Sequence, residues 1–245
     1  MLLTGNTILI TGGSAGIGFE MAKQLSVSNR VIITGRDEAR LRLALERLPG
    51  VTGIRSDISD PAAAASLAGR LAGEYPDLNI VVNNAGRAIV HRLGVNNAAY
   101  EYAKDEMITN YLSVVGFNEA LIPLLRTKPA AAIVNVSSIV AFAGSGAIPT
   151  YSASKAALHS YTQLLRLALG DSSVKVFELM PPLVNTDFSK AIGGEKGMSP
   201  VTLVEFLLDA IAADQYEIRP GATEDIYRLS LASPEKALET MNPLA

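Results

Sequence analysis

The chain contains no cysteine in 245 residues. That excludes disulfides, thiolate catalysis and cysteine-based zinc sites, and it says nothing about compartment. Histidine is almost as scarce. His91 and His159 stand far apart, with no second cluster of ligands beside either, so no metal site is expected. Positive charge is not in excess: the formal net charge is −3, against the basic surface that nucleic-acid binding requires. The first residues carry no basic segment followed by a cleavable apolar one. No apolar run reaches membrane-spanning length without a Gly, Pro or charge interrupting it. No linker, low-complexity tract or short-period repeat divides the chain. A soluble cytoplasmic protein folded as a single domain over residues 1–245 is the expectation.

What is present is apolar. Hydrophobic residues make up 49% and charged ones 18%, enough for a substantial core. Short apolar runs at 6–11, 30–34, 51–56, 78–82, 131–136, 174–179 and 216–219 read as strands. Between them, segments with apolar residues at helical spacing lie near 17–26, 37–47, 99–126, 151–169 and 200–213. Asp60-Pro61 opens a further, alanine-rich helix as cap and first-turn proline. Continuous apolar strands alternating with helices predict an α/β fold, a doubly wound parallel sheet of Rossmann-like type. Such a sheet binds ligands at the carboxyl ends of its strands. The tail 220–245 is polar and has no assigned element.

Four groups of residues fall at those strand ends. Thr11-Gly12-Gly13-Ser14-Ala15-Gly16-Ile17-Gly18 joins the first strand to the first helix. Glycines there let backbone approach a pyrophosphate, and the helix amino terminus supplies free N–H groups. The second strand ends in Thr34-Gly35-Arg36, with no carboxylate where an NAD site would place one. A guanidinium at Arg36 suits a 2′-phosphate, which favours NADP over NAD; the alternative is a solvated arginine. Asp57-Ile58 follows the third strand and Asn83-Asn84-Ala85-Gly86 the fourth. Asp57 would also serve as a helix cap. Finally, Tyr151 and Lys155 lie four residues apart, one turn of helix, with Ser138 upstream. A nearby cation stabilises a phenolate, and lowering a tyrosine by about three pH units takes roughly 4 kcal/mol. Alone, the pair is equally a solvated helix face.

Taken together and in this order, these motifs resemble the short-chain dehydrogenase/reductase family from about residue 5 to about 190. Asn110 and the segment Pro181–Thr186 belong to the match. Within the family, Gly35-Arg36-Asp37 and Pro181-Pro182 look like a bacterial branch whose members are labelled DltE-like. The resemblance implies an NAD(P)-dependent oxidoreductase. It makes Tyr151 the general acid/base and Ser138 the group that holds the substrate oxygen, with Ser137 as rival. Lys155 would bind the nicotinamide ribose and lower the tyrosine pKa, and Asn110 would anchor a water of the proton relay. Cofactor contacts would come from Gly12, Ser14, Ala15, Ile17, Arg36, Asp57, Ile58, Asn84, Ala85, Gly86, Tyr151, Lys155, Pro181, Val184 and Thr186. Pro182 departs from the family's usual glycine.

The expected reaction is reversible reduction of a ketone or aldehyde by NADPH. The substrate wall is expected from the segment after Gly86, from 139–145 and from a flexible loop at 187–198. Ser138, Phe142, Tyr151 and Phe188 are its named contacts, with Val184 and His91 as further lining; for His91 an exposed loop position is the alternative. A small apolar or aromatic carbonyl compound fits such a wall. Family members assemble as homodimers or homotetramers through helices matching 99–126 and 151–169. The competing reading is a non-catalytic NADP-binding regulator or scaffold on the same fold. Epimerase or dehydratase chemistry is a second competitor.

Overall fold

A computed structural model describes residues 2–95 and 98–243; the last two residues of the tail lie outside it. The chain alternates β1 (Thr7–Ile10), α1 (Gly16–Leu25), β2 (Arg30–Gly35), α2 (Glu38–Glu46), β3 (Thr52–Arg55), α3 (Pro61–Glu74) and β4 (Leu78–Asn83). It continues through α4 (Ala99–Met107), α5 (Ser113–Leu125), β5 (Ala131–Val136), α6 (Pro149–Ala168), β6 (Val174–Leu179), α7 (Pro200–Ala212) and β7 (Glu217–Ile218). Two helices close it, α8 (Ala222–Ala232) and α9 (Pro234–Met241).

All seven strands pair parallel, in the order β3-β2-β1-β4-β5-β6-β7. The order reverses between β1 and β4, and a crevice opens there at the strand carboxyl ends. Strand residues alternate between two cores. Ile8, Ile10, Val31 and Ile33 pack with α1, α2 and α7; Leu9, Ile32, Val81 and Ile133 pack with α3, α5 and α6. Both faces are therefore covered, which is why most strand residues are apolar. Each such side chain contributes about 1.5–3 kcal/mol by leaving water.

A buried polar chain ties β4, β5, α5 and α6 together below the crevice. Asn83 Nδ2 donates to Asn118 Oδ1 and Asn135 Oδ1, both at 2.8 Å, and Asn135 Nδ2 donates to Thr162 Oγ1 at 2.9 Å. Every link is satisfied, so the network fixes β4 where it delivers the Asn84–Gly86 turn.

The helix expected over 99–126 is interrupted. Residues Ile108–Leu112 form one turn of π-helix between α4 and α5. The 27 residues Ala99–Leu125 include a stretch long and apolar enough to cross a membrane by length and composition. Phe117, Leu121 and Leu125 are instead buried against α3, α6 and the sheet. The tail, for which no element was expected, is helical. Ala237 and Ile226 are buried, and with Met241 they pack on Ile139, Val140, Ile148 and Tyr151.

Candidate active site

The crevice holds a cavity of about 1060 Å³ running from β2 to the tail helices. At one end Thr11 organises the glycine loop. Its hydroxyl accepts from the N–H groups of Asn84 and Ala85 at 3.0 and 3.1 Å. Asn84 Nδ2 donates back to the carbonyls of Thr11 and Gly12 at 2.9 and 3.2 Å. Gly12 has φ +67°, and a Cβ there would come within 2.9 Å of Ala85 Cα. A Cβ on Gly18 would meet Asn84 Nδ2 at 2.4 Å, so loop, α1 and the β4 turn close only with glycine at both places.

α1 begins at Gly16 with Ala15 as its cap, no side-chain capping bond and no acid in its first turn. Its first N–H groups face the cavity unpaired by side chains, the arrangement that receives a pyrophosphate. Ser56 Oγ, a buried hydroxyl without a partner, lines the cavity beside Asp57 and Ile58. These observations fit a dinucleotide.

At the end of β2, Arg36 lies 4.0 Å from Asp57 Oδ2 and is largely exposed. Asp57 does not cap a helix as considered from sequence; its Oδ1 accepts from Ser59 N–H at 3.0 Å in a local turn. Asp37 caps α2 by accepting from Arg40 N–H at 3.0 Å. The sequence reading missed Arg40, which lines the same end of the cavity. Its signal was available: Arg36 and Arg40 are spaced one helical turn apart.

The middle of the cavity brings Ser138, Tyr151 and Lys155 together. Ser138 follows β5 and starts a short 3-10 turn, its Oγ accepting from Val140 N–H at 3.3 Å. α6 carries Tyr151 and Lys155, both buried. Burial pushes the Tyr151 phenol above its ordinary value; the Ser138 hydroxyl pulls it back and the Glu106 charge adds to the rise. Burial, and not the charge expected from Lys155, sets this direction. The ammonium lies over the phenol ring, 5.6 Å from its centre, and donates to the Val136 carbonyl at 2.7 Å. Burial also brings Lys155 down to about 8, against the opposing charge of Glu178. Ser137, the rival of Ser138, also lines the cavity, and its Oγ donates to Glu178 at 2.5 Å.

Asn110 sits in the π turn, fully buried. Its Oδ1 accepts from Arg87 N–H and its Nδ2 donates to Arg87 O, both at 2.8 Å, and to Ser154 Oγ at 2.9 Å. It holds the strand-end turn from behind rather than lining the cavity. Glu106 does the same one turn earlier, accepting from Ile89 N–H at 2.7 Å. Burial raises the Glu106 carboxyl above its usual range, with bonds to Thr150 and Ile89 opposing.

Gly12, Ser14, Ala15, Ile17, Asp57, Ile58, Asn84, Ala85, Gly86, Pro181, Val184 and Thr186 all line the cavity. So does Phe188, its ring 6.1 Å from that of Tyr151. Two expected wall residues do not. Phe142 packs edge-on against His159 and at 4.9 Å against Tyr227, under the tail. His91 is neither lining nor exposed. It is buried against Tyr102, with Nδ1 3.0 Å from Ile89 O. The segment 187–198, expected as a flexible loop, forms two 3-10 turns pinned by a Val184–Met198 bridge. Ala222 and Met241 of the tail complete the wall.

The profile of the short chain dehydrogenase family matches residues 6–197. The chain is a short-chain dehydrogenase/reductase. The oxidoreductase DltE of Bacillus subtilis (strain 168) is 38% identical over 250 residues, covering 99% of this chain and 98% of that protein. This places the short-chain dehydrogenase/reductase in a DltE-like branch. An NADP-dependent 3-hydroxy acid dehydrogenase of Schizosaccharomyces pombe is 31% identical over 200 residues, 76% of this chain and 74% of that one. A short chain dehydrogenase from Burkholderia cenocepacia J2315, solved in complex with NADP, superposes with a TM-score of 0.86 at 25% identity over 98% of both chains. The protein is accordingly an enzyme, an oxidoreductase with a nicotinamide cofactor, and the regulator reading falls away.

Proposed function

We propose that the enzyme reduces a ketone or aldehyde to an alcohol with NADPH, and runs the reverse oxidation through the same groups. The observation that carries this reading is the convergence of Tyr151, Ser138 and Lys155 on one wall of a cavity that also fits a dinucleotide. The bound cofactor supplies the hydride. Ser138 and Tyr151 hold the carbonyl oxygen and stabilise the charge that develops on it. Tyr151 delivers the proton; burial holds its phenol protonated, and a nearby cation such as Lys155 is what would ease the proton's departure. Lys155 would bind the nicotinamide ribose and lend its charge to the phenol as oxygen, ribose and ammonium come together. Asn110 keeps the Gly86–Arg87 backbone in place behind them. A Cβ on Gly86 would lie 3.4 Å from Asn110 Oδ1 and 3.8 Å from Lys155 Nζ, so these groups share one small space.

Gly12, Ser14, Ala15, Ile17 and the β4 turn would hold the pyrophosphate and adenosine, with Asp57 and Ile58 beside the adenine and Thr186 at the carboxamide. Arg36 and Arg40 would hold the 2′-phosphate and set the preference for NADPH, in keeping with the NADP named for two relatives. The substrate end is walled by Val90, Ile139, Val140, Ile148, Phe188 and Met241, which suits an apolar carbonyl compound. Exposed Leu112, Leu164 and Leu167 support assembly into homodimers or homotetramers through α5 and α6.

The test is NADPH consumption, followed by absorbance, over a panel of aliphatic and aromatic ketones and aldehydes. Tyr151→Phe should still bind NADPH and lose at least about a hundredfold in kcat, the scale of general acid catalysis. Undiminished turnover in that variant refutes the assignment.

A further inference from the structure

Beneath the cavity floor lies a charge that the proposed reaction does not use. Glu178, on β6, is fully buried. Its carboxylate accepts from the Ser137 hydroxyl at 2.5 Å and lies 2.9 and 3.0 Å from His159 Nδ1. The fold assembles this trio from three elements. β5 and β6 pair in register, with Asn135 opposite Glu178, and Ser137 follows directly. α6 adds His159 one turn after Lys155, so Tyr151, Lys155 and His159 form one row at four-residue spacing.

The trio is not an activated nucleophile. The Ser137 hydroxyl donates its hydrogen bond to the carboxylate and none to the imidazole, so His159 is not placed to activate it. Its meaning lies with Lys155. That ammonium is buried, makes no direct ion pair among the described residues, and bonds the carbonyl of Val136, the neighbour of Ser137. A buried cation is costly unless an anion compensates it. Glu178 is the carboxylate whose charge acts on it.

We propose that Glu178, oriented by His159 and Ser137, is the positioning counter-charge that keeps Lys155 an ammonium at the cavity floor. Lys155 is faced by Tyr151 from its own helix; Glu178 of β6 touches His159 one turn further along α6, and its charge acts on Lys155. His159 is faced by Glu178 from β6, Glu217 from β7, Arg166 from its own helix and the edge of the Phe142 ring. Burial disfavours the imidazolium, but the bond and charge of Glu178 outweigh it and hold His159 above its ordinary value. Glu178 thus faces the His159 imidazole and the Lys155 ammonium, one turn apart on the same helix.

The inference rests on the reading of Lys155 as the cofactor's ribose ligand, and the test separates the two. NADPH affinity is measured by nicotinamide fluorescence from about pH 6 to 10, spanning the Lys155 transition. The parent enzyme should lose affinity through a midpoint near the Lys155 value of about 8. Glu178→Gln, which keeps shape and removes charge, should move that midpoint down by about one unit or more. His159→Gln, which removes the imidazole and leaves the carboxylate, should keep it within about 0.3 unit of the parent. An unmoved midpoint in Glu178→Gln overturns the proposal. So does an equal fall in His159→Gln, because packing and not charge would then be responsible. A second measurement needs no cofactor. In a Lys155→Met background the carboxylate has lost Lys155 but keeps His159 and Ser137, so Glu178→Gln should lower the thermal midpoint less there than in the parent. An equal or larger fall in that background overturns the counter-charge. Failure of the parent to bind NADPH or NADH refutes the ribose reading instead, and the thermal comparison then judges Glu178 alone.

Discussion

At the scale of single residues, the proposed preference for NADPH rests on two arginines of unequal visibility. Arg36 and Arg40 are both largely exposed, and each reaches a carboxylate only at 4.0 Å, Arg36 to Asp57 and Arg40 to Asp37. Asp37 is the acid nearest the site where NAD enzymes bind ribose hydroxyls, and it is occupied in capping α2. Gly35 offers no side chain, and the Ser14 hydroxyl lies 3.2 Å from where its Cβ would be. On the proposed reading, the 2′-position would be read by cations and a hydroxyl. Charge-assisted bonds to a phosphate contribute about 1.5–3 kcal/mol each, so Arg36→Ala should weaken NADPH binding about 10–100-fold and leave NADH nearly unchanged. Arg40→Ala should do the same more weakly, and raised salt should mimic both. Paired NADPH and NADH titrations measure this; equal losses for the two cofactors would remove the arginines from the 2′-site. The sequence named Arg36 because it abuts a strand end. It passed over Arg40 because an arginine in an exposed helix turn looks the same whether or not a ligand faces it.

At the scale of elements, every strand was legible, β1, β2, β4, β5 and β6 as mostly apolar runs bounded by turn residues and β3 and β7 as weaker, shorter ones. The helices that pack on the sheet were legible by their spacing. Two features were not. The π turn at Ile108–Leu112 inserts one extra residue per turn without any Gly or Pro to announce it. It positions Asn110 with all three of its bonds directed at Arg87 and Ser154. The tail helices α8 and α9 were hidden because their polar faces dominate the composition, and their few apolar residues bury only on a surface the rest of the fold creates. Asn242, just after α9, staples them. It accepts from Gly146 N–H at 2.5 Å and donates to Gly144 O at 2.8 Å. That loop lies beside Ser145, Ala147 and Ile148 of the cavity wall. Asn242→Ala should cost about 1–2 kcal/mol of stability, the scale of two lost bonds to backbone. It should also raise KM for the carbonyl substrate more than it lowers kcat, because Met241 and the 144–146 loop are loosened while Tyr151 is not. A kcat loss at unchanged KM would place the clamp elsewhere in the cycle.

At the scale of the whole molecule, the fold carries buried charge where it works and apolar side chains elsewhere. Lys155 is the clearest instance. In the folded protein burial brings it from 10.5 to about 8, while the unfolded chain keeps the ordinary value. Below about pH 8 both states hold the proton, and this group makes no contribution to the slope of stability with pH. Between about 8 and 10.5 the unfolded chain still binds the proton and the folded protein does not. Stability contributed by this group therefore rises with pH across that window. The full difference of about 2.5 units corresponds to roughly 3 kcal/mol. Tyr151 acts oppositely above its ordinary value of 10.0, because the folded protein keeps a proton that the unfolded chain releases. A curve for the parent alone would mix the two. The measurement is the difference in unfolding free energy between the parent and Lys155→Met, by urea denaturation without cofactor, at intervals from pH 7 to 10.5, a range that brackets both values. The difference should stay flat to about 8 and then move by about 3 kcal/mol in favour of the parent. A flat difference throughout would mean that Lys155 titrates as a free lysine. The buried ammonium would then carry no cost, and no counter-charge beneath it would be needed.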